Sequence, residues 1–423
     1  MTRSQADVVV IGGGAAGIAA ARRLHEAGRD VLLLEARERL GGRGFTRVDP
    51  LGGPIDLGCG WLHSGDVNPW TEIAGRAGLA VDRSLAPWSR PGMGLGFTAE
   101  DAASFAAARE AFQARLSGLV AQGGDAPASQ ALEPGGRWNG LMSAIYTYVS
   151  GGEIGRISAR DLDNYGDTGA NYRVAGGYGA LIAGHGEGLA VAFGCPATLV
   201  DHSGARIRIE TAKGATEARQ VVVAVPSALI ADGALRFAPD LPEKREAAAG
   251  LPLGLADKLY FALDRADGFE PDSRAFGRHD RTATAAYHIR PLGRLLVEAY
   301  FGGDCAEALE RGGEGAFADF ALGELAGLFG EDIRRRLTPL AMHPWRRDPF
   351  ARGSYSFALP GRTGDRAALG APVDGRLFFA GEAVSEHDYS TAHGAYRTGV
   401  AAADAAVAAA GPAGRLDAIQ SQS

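Results

Sequence analysis

Long apolar runs are missing from this chain of 423 residues, and cysteine and lysine are scarce. No apolar run reaches the ~18 residues that a membrane-spanning helix needs, so no membrane partner is expected. The cysteines Cys59, Cys195 and Cys305 are scattered and odd in number, without a C-x-x-C pair. This pattern argues against a disulfide framework and against a metal site, and it favours a reducing compartment.

An excess of basic charge is also missing. The 43 basic and 50 acidic residues give a net charge of −7, and no basic stripe stands out. Nucleic acid is therefore not an expected partner. The first ten residues, MTRSQADVVV, leave no room for a signal peptide before the first strand, which favours a cytoplasmic protein. The length and the 46% hydrophobic content fit two or three globular domains, or one interleaved pair.

The strongest motif lies in the segment 6–43. Val8–Ile11 is a short β-branched run that predicts a buried parallel strand, and a helical pattern follows it. Gly12, Gly14 and Gly17 join the two in G-x-G-x-x-G spacing. The first glycine allows a tight turn, the second lets the backbone approach a pyrophosphate, and the third lets the helix pack closely on the strand.

The residues after this turn complete a dinucleotide-binding unit. The helix predicted over Ala15 to Ala27 would direct free N–H groups at the phosphates. Glu35 ends a second strand, Val31–Leu34, and would accept hydrogen bonds from the ribose hydroxyls. The sequence Arg39-Leu40-Gly41-Gly42-Arg43 then places two arginines around a Gly-Gly turn. Such a second contact with a diphosphate is more typical of FAD than of NAD.

The far end of the chain repeats this arrangement. Leu377–Ala380 predicts a buried strand, and Gly381 and Glu382 follow it directly. We expect Glu382 to bind ribityl or ribose hydroxyls, and a helix beginning near Thr391 to direct N–H groups at the flavin. The alternative is an ordinary closing strand and helix.

The chain is predicted to have an α/β fold, with a Rossmann-like FAD-binding domain built from discontinuous segments and an inserted α+β substrate-binding domain. The segments are 1–83, 186–250 and 351–412 for the FAD-binding domain, 84–185 and 251–350 for the substrate-binding domain, and 413–423 as a flexible tail.

Patterning predicts further elements between these ends. The predicted helices cover 69–77, 101–122, 141–149, 316–329 and 394–410. The predicted strands cover 197–200, 206–211, 220–225, 251–263 and 294–301. Lys213-Gly214 is interpreted as the hairpin turn between the strands 206–211 and 220–225, and 123–137 as a mobile surface loop.

Taken together, these motifs resemble the FAD-dependent amine oxidase family, which includes monoamine oxidases, polyamine oxidases and histone demethylases. The resemblance extends from residue 7 to about residue 405. Beyond the motifs above, it rests on 58–61 (GCGW), 224–226 (AVP), 251–261 (LPLGLADKLYF), Trp345, 348–349 (DP), 353–355 (GSY), 379–382 (FAGE) and 393–396 (HGAY).

The resemblance implies an enzyme that oxidises the C–N bond of a primary or secondary amine, with polyamine-like substrates included. Hydride passes to flavin N5, the imine is hydrolysed, and O2 reoxidises the flavin to give H2O2. A homodimer is among the assemblies it allows. The cofactor-binding residues that it implies are Gly12, Gly14, Ala15, Ala16, Gly17, Glu35, Ala36, Arg37, Arg43, Gly58, Cys59, Gly60, Trp61, Ala197, Pro226, Trp345, Gly381, Glu382, Thr391 and Ala392.

Lys258 matches the family lysine that holds a water against flavin N5. The chain has only three lysines, Lys213, Lys244 and Lys258, and otherwise uses arginine. A compact ammonium can hold one water, whereas a guanidinium is larger and planar. The alternative is a lysine whose stem is buried at a strand edge.

Four further positions follow from the resemblance. Tyr355 matches one of two aromatic residues on the substrate face of the flavin, and the second of these positions is Thr391. His63 resembles a histidine near the mouth of the substrate site. Ser354 stands where monoamine oxidases carry the cysteine tethered to flavin, so FAD is expected to be non-covalent. A core tyrosine and a structural histidine are the alternatives for Tyr355 and His63.

Two other functions remain open from the sequence. One is a flavin-dependent desaturase or dehydrogenase that acts on a C–C bond, because such enzymes share the opening and closing motifs. The other is a flavin-bearing interaction protein without turnover. Substrate specificity is expected to reside in 84–185 and 265–350, where the pattern is weakest.

Overall fold

The computed structural model describes residues 3–90 and 94–410, so the predicted tail 413–423 lies outside the described residues. The helices in the described part are α1 (Ala15–Glu26), α2 (Pro69–Arg76), α3 (Ala99–Ala121), α4 (Asn139–Ser150), α5 (Ala159–Asn164), α6 (Tyr178–Gly184), α7 (Ser227–Ala231), α8 (Pro242–Ala249), α9 (Gly303–Gly312), α10 (Glu314–Phe329), α11 (Ile333–Arg336), α12 (Asp365–Gly370) and α13 (Ala392–Ala409). None of these helices is long and apolar enough to cross a membrane.

The strands, again within the described residues, are β1 (Val8–Ile11), β2 (Val31–Leu34), β3 (Thr46–Val48), β4 (Pro54–Asp56), β5 (Val81–Asp82), β6 (Gly94–Leu95), β7 (Arg173–Val174), β8 (Val191–Ala192), β9 (Ala197–Asp201), β10 (Ile207–Thr211), β11 (Gly214–Ala218), β12 (Gln220–Val223), β13 (Arg236–Ala238), β14 (Ala256–Leu263), β15 (Ser273–Phe276), β16 (Ala286–Ile289), β17 (Leu296–Gly302), β18 (Leu337–Met342) and β19 (Leu377–Phe379).

One sheet is parallel and has the strand order β19-β12-β1-β2-β8. Its strands β19, β12, β1 and β2 are short, mostly apolar and buried, as expected for a sheet covered on both faces, and the edge strand β8 is partly buried. The helices α1 and α13 pack closely on each other, since a Cβ on Gly399 in α13 would lie 2.1 Å from the Ala16 carbonyl oxygen in α1, and both contribute buried side chains to the core on one face of the sheet. The carboxyl ends of β1, β12 and β19 therefore meet at one edge, although these strands lie far apart in the sequence.

A second sheet is mainly antiparallel, with the order β18-β14-β17-β16-β15-β6. One of its faces packs on α10 through apolar side chains such as Phe261, Ala299 and Phe317. The register places polar side chains opposite one another on the other face. We call this surface the polar face and define it by Lys258, Tyr260, Arg274, His288, Glu298 and Tyr300.

The two sheets draw their strands from the segments that the domain prediction assigned to the FAD-binding and the substrate-binding domains, respectively. The domain boundaries themselves stay a prediction. The predicted helices 101–122, 141–149 and 316–329 correspond to α3, α4 and α10, each with two residues added at its N-terminal end.

Two local predictions are wrong. The Lys213-Gly214 turn joins β10 to β11, not to β12, because residues 214–218 form an extra strand. The loop 123–137 is not wholly at the surface. It contains a short 3-10 helix, Ala128–Ala131, whose terminal alanines are buried against α3.

The strand predicted over 251–263 begins only at Ala256. Pro252 has no N–H for a ladder, and the N–H of Gly254 donates to the Tyr355 carbonyl instead. The residues before β14 therefore contact the 353–356 segment. This contact brings Tyr355 to the start of the strand that carries Lys258.

Candidate functional site

The turn between β1 and α1 has no room for a side chain at Gly12 or at Gly17. Gly12 has φ +106°, and a Cβ there would lie 2.6 Å from the Ala224 carbonyl oxygen. A Cβ on Gly17 would lie 1.8 Å from the Gly12 carbonyl oxygen. Gly14 precedes α1 and has no side chain to accept from the first helical N–H groups, such as that of Ala15. These N–H groups are thus available to an anion.

Glu35 is buried beside this turn, with 3% of its surface exposed. Its carboxylate accepts from the backbone N–H groups of Gly13 and Arg37, both at 2.7 Å. Its carbonyl accepts from Cys195, which leads into β9 and its first residue, Ala197. Ala36 lies between Glu35 and Arg37, which are joined by one of these hydrogen bonds. The segment predicted to bind the ribose is therefore held in place by backbone contacts.

The guanidinium of Arg37 contacts protein rather than pointing freely at a ligand. It forms an ion pair with Asp348 at 2.5 Å, and it lies 5.4 Å from the centre of the Phe350 ring. His343 contacts the other oxygen of Asp348 at 2.9 Å. A role of Arg37 in cofactor binding therefore stays a prediction, and its backbone atoms are as good candidates for that contact as its side chain.

The Arg39–Arg43 segment runs alongside the glycine turn, with Gly41 bridged to Gly14. Arg39 donates to the Gly42 carbonyl at 2.9 Å and stacks on a phenylalanine ring. Arg43 donates to Glu382 Oε1 and to the Ser354 carbonyl, both at 2.8 Å. Arg43 therefore joins the first cofactor motif to the last one.

Glu382 is satisfied within the protein. Its carboxylate accepts from Arg43, from the Ser356 hydroxyl at 2.7 Å and from the Ser390 N–H at 2.9 Å. Burial alone would raise the pKa of Glu382, but Arg43 and Ser356 outweigh it and hold the pKa below its ordinary value. Gly381 and Pro226 line the same small cavity as Arg43. The structure thus gives Glu382 the role of fixing Arg43, whereas contact with a cofactor hydroxyl stays a prediction.

The turn at 56–61 brings backbone against Lys258. A Cβ on Gly58 would lie 1.8 Å from the Arg43 carbonyl oxygen and 3.2 Å from the ring of Trp345. The indole of Trp345 donates to the Leu57 carbonyl at 3.0 Å. A Cβ on Gly60 would lie 3.3 Å from Lys258 Nζ. Next to it, burial raises the pKa of the Cys59 thiol to about 12, so that thiol stays neutral.

Lys258 is buried on the polar face, with 6% of its surface exposed. Its Nζ donates to the Asp56 carbonyl at 3.2 Å and lies 3.7 Å from Glu298 Oε1. The ring centre of Tyr300 is 5.6 Å away. An ammonium with one hydrogen bond and one longer ion pair keeps an N–H donor for a water or a ligand.

The other two lysines have different surroundings. Lys244 donates to the carbonyls of Ala368 and Leu369 at 2.7 and 3.0 Å, at the end of α12. Burial lowers its pKa to about 8. Lys213 is exposed and donates to the Phe193 carbonyl at 2.7 Å. Lys258 is the lysine of the polar face.

Tyr355 and Tyr300 form a pair of phenols beside Lys258. Their hydroxyl oxygens are 2.8 Å apart, and Tyr355 donates to the Tyr148 carbonyl. Burial raises the pKa of both phenols, which therefore stay neutral. Tyr300 is not among the site residues predicted from the sequence. The signal was available in the alternation of β17, where Tyr300 and Glu298 share one face.

His63 is held in one tautomer. The Asn171 side chain donates to the Gly169 carbonyl at 3.0 Å, so its oxygen faces His63 Nδ1 at 2.6 Å. Nδ1 must then carry the proton, and Nε2 is an acceptor. Burial lowers the pKa of His63, and the charge of Lys258 lowers it further.

Thr391 contributes a helix cap rather than a ring. Its hydroxyl accepts from the Gly394 N–H at 2.9 Å and donates to the Asp388 carbonyl at 2.6 Å. No second aromatic wall arises here. The Ala392 carbonyl accepts from the Trp70 indole at 3.0 Å, which fixes the start of α13.

Trp61 lies toward the opposite end of the polar face. Its ring centre is 6.1 Å from that of His288 and 4.5 Å from that of Trp88, and the Arg173 guanidinium lies 5.0 Å from the same ring. Within residues 3–90 and 94–410, no group of three or more His, Cys, Asp or Glu side chains is placed to hold a metal ion.

The sequence profile of flavin containing amine oxidoreductases matches residues 15–143 and 138–407 of this chain. Polyamine oxidase 2 of Arabidopsis thaliana is 30% identical over 451 residues, which cover 95% of this chain and 88% of that protein. Lysine-specific histone demethylase 2 of Homo sapiens is 26% identical over 429 residues, covering 93% of this chain and 52% of that protein.

Solved structures show the same fold. Wild-type putrescine oxidase bound to putrescine has a TM-score of 0.76 at 18% identity, covering 95% of this chain and 98% of that one. The glycine turn, in which Gly12 and Gly17 leave no room for a Cβ, suits FAD, as do the uncapped start of α1 and the backbone-held Glu35. The chain therefore belongs to the flavin-containing amine oxidoreductase family, and its cofactor is FAD.

Proposed function

We propose that this protein oxidises the C–N bond of a primary or secondary amine, with O2 as the electron acceptor and H2O2 as a product. The observation that carries the proposal is the position of Lys258 on the polar face. It lies against Gly60, and the Tyr300–Tyr355 pair lies beside it. A buried lysine beside two neutral phenols suits a site where an amine and a water lie against a bound flavin better than it suits hydrolytic chemistry.

FAD, when bound, supplies the two-electron oxidation of the amine and the transfer of electrons to O2. The N-terminus of α1 would bind the diphosphate, and Glu35 would bind the ribose hydroxyls. Arg43, fixed by Glu382, would limit the movement of the residues that surround the cofactor.

The protein's own residues would orient the amine and keep it uncharged. His63 Nε2 is an acceptor and can take a hydrogen bond or a proton from an amine nitrogen. The phenols of Tyr300 and Tyr355 present neutral ring surfaces, which attract developing positive charge. Lys258 would hold a water with its remaining N–H donor.

The proposal is tested by mixing the purified holoenzyme, without oxygen, with monoamines, diamines, polyamines and amino acids. At least one amine is expected to bleach the flavin absorbance. Admission of air should then restore the colour and yield H2O2 in proportion to the flavin. If no amine reduces the flavin, the proposal that this protein oxidises amines is wrong.

We expect FAD to be bound without a covalent link. The hydroxyl of Ser354 donates to the Ala256 carbonyl at 2.8 Å and accepts from the Ala256 N–H at 2.9 Å, so it is fixed on β14. The Cys59 thiol stays protonated and is a poor nucleophile. Acid precipitation should release all the yellow colour into the supernatant. A yellow pellet after washing would show that a covalent bond exists.

A further inference from the structure

Charges on the polar face are unequally partnered. The carboxylate of this face, Glu298, accepts a hydrogen bond from the Tyr260 hydroxyl at 2.6 Å and forms an ion pair with Lys258. Asp272, just before β15, is bound by Arg173 at 2.6 Å and by His288 at 2.9 Å. Both carboxylates therefore have cationic partners already.

Arg274 is the exception among the cations of this face. Its guanidinium lies 4.7 Å from the centre of the Phe276 ring. Among residues 3–90 and 94–410, no carboxylate lies within the 4.0 Å of an ion pair with it, and it has no side-chain hydrogen bond. The positive charge of Arg109, on α3, acts against the charge of Arg274.

The environment of Arg274 makes this lack of a partner costly. The side chain is half-buried, and burial together with Arg109 lowers its pKa to about 10. A desolvated cation without a counter-ion raises the free energy of the fold, and a bound anion would remove that cost. Because the side chain keeps some exposed surface, a ligand can reach it.

We propose that Arg274 binds an anionic group of the substrate, so that the substrate is an amine carrying a distant carboxylate. This inference rests on the proposed amine oxidation. A diamine or polyamine would instead place a second ammonium near Arg274 and Arg109, where the carboxylates of Glu298 and Asp272 are already occupied. A carboxylate matches the planar guanidinium in charge and in shape.

The position of Arg274 sets where the carboxylate lies relative to the amine. Arg274 is on β15 and Lys258 on β14, with β16 and β17 between them. Three strand spacings of about 4.8 Å separate the two backbones by roughly 14 Å. The carboxylate therefore belongs at the far end of a chain from the oxidised nitrogen, not on the carbon next to it.

The test compares straight-chain ω-aminocarboxylates, diamines and n-alkylamines of equal length as substrates of the holoenzyme. We expect the aminocarboxylates to have the highest kcat/KM. In Arg274→Met, kcat/KM for aminocarboxylates should fall by about 10- to 100-fold, mainly through KM, as for loss of a charged hydrogen bond. The value for alkylamines should stay the same.

A matched control lies on the residues after β15. Arg278 is exposed and donates to Asp280 at 2.7 Å, so Arg278→Met should change none of these values. The charge reversal Arg274→Glu should favour diamines over aminocarboxylates. Because the unpartnered cation is a cost to the fold, Arg274→Met should unfold at the same temperature as the unmodified protein or at a higher one, which would show that its kinetic changes are not a folding defect.

A second measurement needs neither turnover nor a variant. n-Alkanoates, which cannot be oxidised at nitrogen, should perturb the flavin spectrum of the unmodified holoenzyme and compete with substrate. The inference is wrong if alkanoates do not bind. It is also wrong if diamines are the better substrates and Arg274→Met leaves kcat/KM unchanged for both diamines and aminocarboxylates. Alkanoate binding that depends on Arg274 without oxidation of any amine would instead overturn the proposed function, and of this inference it would leave only the anion-binding role of Arg274.

Discussion

A Gly17→Ala variant is expected to be recovered without flavin. The added Cβ would lie 1.8 Å from the Gly12 carbonyl oxygen, which is backbone and cannot swing away. The start of α1 must then move off β1, and the N–H groups at that end no longer converge on the diphosphate. We expect a loss of about 3 kcal/mol in the free energy of unfolding, at the upper end for overpacking. The ratio of flavin to protein absorbance and thermal unfolding measure both effects.

Gly118→Ala is the matched control. Gly118 lies inside α3, and a Cβ there would meet nothing within 4 Å. The same substitution should therefore stabilise the protein by about 0.5 to 1 kcal/mol, through helix propensity, and leave the flavin content unchanged. A Gly17→Ala protein with a full complement of FAD would show that the close approach at this turn is not required.

A Lys258→Met variant is expected to keep FAD but to react with O2 about 100-fold more slowly, as when one preorganised donor is removed. Methionine has an unbranched side chain of similar length, so the packing against Gly60 and Tyr300 is preserved. It removes the charge and the N–H donors that would hold a water. The measurement is stopped-flow reoxidation of the reduced enzyme after mixing with aerated buffer.

Two further variants separate the role of Lys258 from a general effect of charge. Lys213→Met removes an exposed lysine whose Nζ donates to the Phe193 carbonyl, and it should leave reoxidation unchanged. Lys258→Arg keeps the charge, but its planar guanidinium cannot occupy the same position, so it should not restore the rate. Normal reoxidation in Lys258→Met would contradict the assignment.

The cofactor unit was predictable because its signals are local. The spacing of Gly12, Gly14 and Gly17 specifies a backbone geometry within one turn, and the structure shows that geometry. Glu35 likewise follows its strand directly. Such features depend on a few neighbouring residues, so that a single sequence is enough to identify them.

The polar face was only partly predictable. Alternation along β17 separates Glu298 and Tyr300 from the apolar residues, but it does not say which strand lies opposite them. That register depends on the pairing of β14, β16 and β17. Arg274 was missed for this reason, because its lack of a partner carboxylate depends on which side chains the neighbouring strands bring near it. The cap role of Thr391 was also missed, although threonine before a helix is a common N-cap.

The parallel sheet has a consequence for how the protein matures. β1 pairs with β12, and β12 pairs in turn with β19. Residues 8–11 therefore need residues 220–223 as partners, and those need residues 377–379. During synthesis the glycine turn leaves the ribosome long before the strand that precedes Glu382. Contacts so distant in sequence form slowly. The parallel sheet can therefore be completed only after residues 377–379 have been translated, and we expect FAD to bind after that point.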